Sequence, residues 1–269
     1  MFRAHIHARQ EITRCAIREA AAWSFVVLAA LFAAAPTLAE EPWQFRLSPY
    51  AWLAGAKGNV GTIPGQPAVP IDVSPWDAMK DLEGGAMLML DARKGRHGFL
   101  ADLLYTDVQS DVELLPAPIN LGLTSTSKTT VATLAYQYQL YREEGTVVDL
   151  LAGLRYWRMD TELRFSGGLG FLAGRSIRNR ESWLDPAIGV KGRVPFGGSR
   201  FYFEGGAGVG GFGVGSDLFY EINANVGYQW NRSIGTTIGY RMFDVDYEND
   251  GYVYDVRQQG WQLGLTWSF

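Results

Sequence analysis

The chain ends on a strict alternation. Trp261, Leu263, Leu265, Trp267 and Phe269 take every second place, separated by Gln262, Gly264, Thr266 and Ser268. A period of two puts the first set on one face of a β-strand. That face is apolar throughout and carries aromatics at both ends. At ~3.3 Å per residue and a tilt of ~40°, it stands roughly 20 Å tall, close to the ~25 Å apolar band of a transmembrane barrel. A half-buried edge strand of a soluble sandwich has the same period, so the rest of the chain has to separate the two.

Ten segments alternate in this way, over 43–54, 85–95, 97–109, 128–141, 146–164, 177–194, 199–213, 217–230, 233–247 and 252–269. Phe99, Ala101, Leu103 and Tyr105 make one clean apolar face; Ile234, Thr236, Ile238, Tyr240 and Met242 make another. The opposite faces are not fringes of lysine and glutamate. They carry Arg46, Asp91, Arg93, Arg155, Asp185, Arg193, Glu204, Glu221 and Arg241 among amides, glycines and aromatics. Apolar outside and polar inside is the pattern of a barrel surrounded by lipid. The expectation is an all-β, closed antiparallel up-and-down transmembrane β-barrel of ten strands, with eight or twelve as alternatives. Trp43, Trp230, Trp261, Trp267 and Phe269 would form its aromatic girdle.

The connections alternate in length. Residues 94–97, 142–146, 196–198 and 231–232 are tight, whereas 55–84, 110–127 and 165–176 are long. With both termini on one side, all the long connections fall on the other. The first long one contains Ser74, Pro75 and Asp77, an N-cap, N1 and N3 signature that predicts a short helix.

Ahead of the strands lies a nearly apolar run, Ala20–Ala35, preceded by Arg14 and Arg18 and followed by Thr37-Leu38-Ala39. It is shorter than the ~20 residues a spanning helix needs. Residues 1–39 therefore read as a cleaved signal peptide, leaving residues 40–269 as one barrel domain. An uncleaved anchor helix is the alternative. Cleavage removes four of the 24 basic and two of the 28 acidic residues, so a chain of net charge −4 becomes more acidic still. No basic stripe is available for nucleic acid. The chain's one cysteine, Cys15, goes with the leader, as do His5 and His7, leaving His97 as the sole imidazole.

Four longer phrases, Asp91–Asp107, Trp183–Arg193, Gly210–Leu218 and Gly239–Gly260, together with the terminal GLTWSF, resemble a broad group of uncharacterised proteobacterial outer-membrane β-barrel proteins. The resemblance spans Trp43 to Phe269 and implies fold and location, but no substrate. The C-terminal strand also resembles those read by the outer-membrane barrel assembly machinery.

Three motifs offer chemistry. Gly208, Gly210 and Gly213 satisfy G-x-G-x-x-G, but a strand pattern follows where nucleotide binding needs a helix. Glycines that let the sheet bend and leave room for lumenal aromatics fit better. Asp246, Glu248, Asp250 and Gly251 open like a calcium loop, yet Arg257 stands where the bidentate acid belongs; an Asp-Gly hairpin tip is expected. Arg164, Arg175, Arg178 and Arg180 lie in or beside the third long connection, where guanidinium groups could reach lipopolysaccharide phosphates or simply be solvated. Catalysis meets a limit, because His97 is assigned to a tight turn and no other activating base is available; carboxylate chemistry from Asp102 with Glu204 stays open. The expected function is a non-enzymatic structural or surface-interaction barrel, monomeric, without cofactor or metal, its lumen plugged by paired charges. A narrow passive channel is the alternative.

Overall fold

A computed structural model describes residues 41–61, 67–115, 121–166 and 174–269. The leader assigned to residues 1–39 lies outside the described residues, as do residues 40, 62–66, 116–120 and 167–173. The elements are β1 (Gln44–Gly61), β2 (Val69–Val73), α1 (Pro75–Lys80), β3 (Leu82–Lys94), β4 (His97–Leu115), β5 (Leu121–Glu143), β6 (Thr146–Ser166), β7 (Ser176–Pro195), β8 (Phe201–Gly211), β9 (Leu218–Gln229), β10 (Ile234–Asn249) and β11 (Tyr252–Ser268).

From β3 onward each strand pairs antiparallel with the next, and β1 pairs with both β3 and β11. The β1–β11 ladder runs from Arg46↔Ser268 to Gly61↔Val253 and closes the sheet. Ten strands form the wall. The eleventh, β2, is an addition that pairs with β1 over Ala56–Val60. Closure matters because strands in hydrocarbon must satisfy every backbone donor and acceptor within the wall. Among the described residues no helix is long and apolar enough to cross a membrane.

The apolar residues face out. Leu134, Ile188, Ile238, Leu263 and Trp261 are all more than half exposed to the surroundings. In water such a band would be an aggregation surface; next to acyl chains it is the favourable one. The aromatic residues mark its edges. Trp43, Phe45 and Phe269 stack in series with centroids 6.2 and 5.7 Å apart, and Trp267 lies 4.9 Å from Phe269. Trp230 packs edge-on against Tyr228 nearby in sequence. All of these sit at the end of the tight turns, where Phe45 and Phe269 exchange backbone hydrogen bonds. Trp261 sits at the opposite edge, edge-on to Tyr240.

Strands outrun the sequence reading at the far end. β1 continues to Gly61, β4 to Leu115, and β5 begins at Leu121 rather than 128. Most of the expected long connection 110–127 is therefore hairpin. Above the apolar band both faces are wet, so hydrophobic alternation stops. Thr124, Thr126, Thr129 and Thr130 still favour a pleated backbone, and the ladder continues. The strand β2 was not expected; five residues between prolines carry too little pattern.

α1 forms as its signature predicts. Asp77 N donates to Ser74 Oγ at 3.1 Å, and Ser74 Oγ donates to Asp77 Oδ2 at 2.6 Å. The exposed Asp77 carboxyl is held below its ordinary range by the Ser74 hydroxyl and then by Lys80. The hairpin tip at Asp250 and Gly251 has φ of 46° and 82°, two left-handed residues as a tight hairpin requires.

Candidate functional site

The lumen is filled in two layers. Toward the tight-turn end it is polar, and above that it is aromatic. Alternation drives this: once Leu, Ile and Val occupy the outward positions, the charged residues have to point inward, where each needs a partner.

The central polar layer is a chain of ions. Arg155 Nη2 lies 2.6 Å from Glu221 Oε2, and Arg241 Nε lies 2.8 Å from Glu221 Oε1. Arg241 Nη2 reaches Asp102 Oδ2 at 3.3 Å, and Tyr50 Oη donates to Asp102 Oδ1 at 2.8 Å. Arg155 Nε also donates to Thr133 Oγ1 at 2.8 Å. Two arginines and two carboxylates thus connect β6, β9, β10 and β4 with no net charge.

Below it lie three further contacts. Arg46 pairs with Glu204 at 3.2 Å. Arg93 holds Asp149 by two hydrogen bonds of 2.9 and 2.6 Å. Lys191 pairs with Asp91, which also accepts from Gln137 Nε2 at 2.9 Å.

Two residues expected in this network do other work. Asp185 is fully buried but, among the described residues, meets no cation. It accepts from Ser216 N and Ser216 Oγ, both at 2.7 Å, and from Trp183 Nε1 at 3.2 Å. It therefore pins the β8–β9 turn across the top of the lumen. Arg193 lies 3.6 Å above the centre of the Tyr202 ring and donates to Gln229 Oε1 at 3.0 Å; its partners are a π-face and an amide rather than an acid. Conversely, Asp149, Lys191, Gln137 and Tyr50 join the network without having been candidates. Their inward parity was legible in the alternation, but the partner of an inward charge depends on which strands face each other across the barrel. Asp102 and Glu204 make separate ion pairs with different arginines and form no carboxylate dyad.

The upper layer packs Trp52, Leu104, Trp157, Trp183, Phe219, Phe243, Val245, Tyr247 and Tyr252 into one buried cluster. Trp183 stacks on Tyr247 at 3.8 Å and on Trp157 at 5.5 Å. The layers meet at Arg155, whose guanidinium lies 4.8 Å from the Phe219 ring and 5.2 Å from that of Phe243, a cation–π contact in a dry place. The glycines of the G-x-G-x-x-G segment serve this packing: a Cβ on Gly210 would lie 2.4 Å from the Phe219 ring, and strand β9, not a helix, follows. Among the described residues no group of acids and histidines is arranged to hold a metal. His97 lies at the tight-turn end against Tyr136 and Tyr138.

Above the apolar band the outward face becomes charged. Asp107 pairs with Lys128 at 2.8 Å, Asp160 with Arg180 at 2.6 Å, and Glu162 with Arg178 at 2.5 Å and Arg164 at 3.0 Å. Arginine hydrogen bonds hold both the Asp160 and Glu162 carboxyls below their ordinary range. Most of the arginine cluster proposed for phosphate is thus already neutralised by neighbours. The acidic hairpin differs. Asp246 faces Asp255 across the ladder. Desolvation, then Asp255, Asp217, Glu248 and Asp244, raise its carboxyl above the usual range.

No family model matches the chain, and no curated protein does either. Solved structures do match. The outer-membrane protease OmpT from Escherichia coli superposes with a TM-score of 0.54 at 13% identity, covering 87% of this chain and 99% of that one. The transport unit of the Escherichia coli autotransporter AIDA-I gives 0.45 at 9% identity, covering 89% and 94%. The Ail protein of Yersinia pestis gives 0.37 at 10%, covering 85% and 99%. The first of these places the chain in the fold of outer-membrane β-barrels.

Two expectations follow. Glu221→Gln leaves Arg155 and Arg241 short of a counter-charge, and should cost about 3–5 kcal/mol in urea unfolding followed by tryptophan fluorescence in bilayers; a loss under about 1 kcal/mol would contradict the network. Ionised Asp246 opposes folding of its hairpin wherever the unfolded state is already deprotonated. Asp246→Asn should therefore raise amide-exchange protection of the β10–β11 tip at pH 7 and leave it unchanged near pH 3, where the wild-type carboxyl is protonated folded or unfolded. Equal gains at both pH values would contradict this.

Proposed function

We propose that the chain is a non-enzymatic barrel of the Gram-negative outer membrane, monomeric, exported by a leader over residues 1–39 and assembled through its C-terminal strand. Its lumen is closed by its own side chains, and its working surfaces are the lipid-facing wall and the long-loop end, in contact with membrane lipid and lipopolysaccharide. The observation that carries this reading is the Arg155–Glu221–Arg241–Asp102 chain, which bridges four strands across the lumen beneath a buried aromatic layer. A barrel of this size is usually filled by side chains. Against catalysis stands the position of the only imidazole expected after export, on the tight-turn side and away from the lumenal acids.

A narrow passive channel is the second reading. Its support is a polar chamber of about 60 Å³ lined by Ser48, Glu204, Asn223, Asn225, Thr237 and Gln262. That is room for a few waters, and the aromatic cluster lies above it. In planar bilayers the purified barrel should insert without conductance steps in molar salt. Reproducible single-channel steps would overturn the closed lumen in favour of the channel.

A further inference from the structure

The lipid-facing wall is not uniform. Across β3 to β7 it holds an apolar depression of about 500 Å³. Two cross-strand rows line it, Leu90–Ala101–Leu134–Leu154 and Leu88–Leu103–Ala132–Tyr156–Leu184. The short side chains of Ala101 and Ala132, set between leucines, make the hollow.

The next row up, toward the long-loop end, is Tyr105–Thr130–Arg158–Ser182, and the one above it Asp107–Lys128–Asp160–Arg180. Each row rises roughly 5 Å at the tilt assumed above, so hydroxyls and cations begin one step above the hollow. Among the described residues of this outward patch the cations Lys128, Arg158, Arg164, Arg178 and Arg180 face Asp107, Asp160, Glu162 and, in the row of Arg164, Asp111. Arg178, Arg180, Arg164 and Lys128 make the ion pairs given above. Arg158 is exposed and has Asp160 as its electrostatic neighbour, a carboxylate already taken by Arg180. The surplus positive charge thus sits directly over the hollow, between the hydroxyl-bearing residues Thr130 and Ser182 of its own row.

We propose that this wall binds one lipopolysaccharide molecule, with a lipid A acyl chain in the hollow and a lipid A phosphate on Arg158 and Lys128, assisted by the Tyr105 and Thr130 hydroxyls. Three features support that occupant. The hollow is continuous with the lipid-facing band, its headgroup end is cationic, and that end lies on the long-loop side. The last point rests on the outer-membrane orientation proposed above. Arginine and hydroxyl donors suit a phosphate oxygen fork, and an acyl chain replaces empty space with dispersion contacts.

The test uses the barrel in phosphatidylcholine nanodiscs, titrated with lipid A and read by native mass spectrometry. Wild type should bind one lipid A. Arg158→Gln with Lys128→Gln should weaken binding at least tenfold, as should dephosphorylated lipid A on wild type. Ala132→Leu, which fills the hollow and keeps every charge, should weaken it several-fold. Unchanged binding by the charge variant, or equal binding of phosphatidylglycerol, would overturn the site while leaving the membrane reading intact. Failure of wild type to enter the nanodisc would overturn the membrane reading itself.

Discussion

Closure of the backbone between β1 and β11 is the constraint on which everything else in this molecule depends. A sheet with an open edge leaves rows of donors and acceptors that hydrocarbon cannot satisfy. Once Arg46 through Gly61 pair with Ser268 back to Val253, the wall has no free edge, and its outer surface can be as apolar as the sequence makes it. That exterior then dictates the interior. Each strand alternates, so the charges excluded from the outside converge on a lumen too narrow to hydrate them freely.

The solution is compositional layering. The tight-turn half neutralises most of its charges in ion pairs between strands, while Arg193 rests on the Tyr202 ring and the Gln229 amide. The upper half packs indoles and phenols, and its buried Asp185 is held by the Ser216 turn and the Trp183 indole instead of a cation. Arg155 belongs to both halves, ion-paired on one side and π-bonded on the other. Room for the large rings comes from glycine. A Cβ on Gly227 would meet the Tyr202 ring at 2.1 Å, so the fully buried tyrosine occupies space that any other residue there would take. Inward glycines and inward aromatics are one feature seen from two strands. A core of this kind favours rigidity over conduction. The surfaces left to meet partners are the lipid-facing wall, the charged rim and the hairpins above it.

Much of this was legible in the chain, for physical reasons. The period of two fixed each strand's faces within the apolar band, because hydrocarbon on one side enforces it; the strand count and the helix at Ser74–Lys80 followed. Above the band that enforcement ends. The far end of the β4–β5 hairpin, within 110–127, therefore read as loop, and β2 was invisible. Inward parity picked out Arg46, Asp91, Arg93, Arg155, Glu204, Glu221 and Arg241. Pairing was another matter. Asp185 found a turn hydroxyl and an indole instead of a cation, and Arg193 found the Tyr202 ring. Parity says which way a residue points, but not what stands opposite across a closed sheet. In the same way Arg178 and Arg180 stood out as arginines, yet cross-strand register neutralises both. Arg158, unremarked in sequence, carries the surplus.

The most direct test is the environment of the outward positions in a bilayer. With Cys15 replaced by serine, nitroxides placed one at a time at Leu134, Ile238 and Leu263 report collisions with oxygen, which prefers hydrocarbon, and with a polar nickel chelate, which prefers water. Oxygen should dominate at all three, and the chelate should dominate at Asp250 on the hairpin tip. Chelate-dominated collisions at Leu134, Ile238 and Leu263 would mean that water touches the apolar face, and the inside-out reading of this barrel would be wrong.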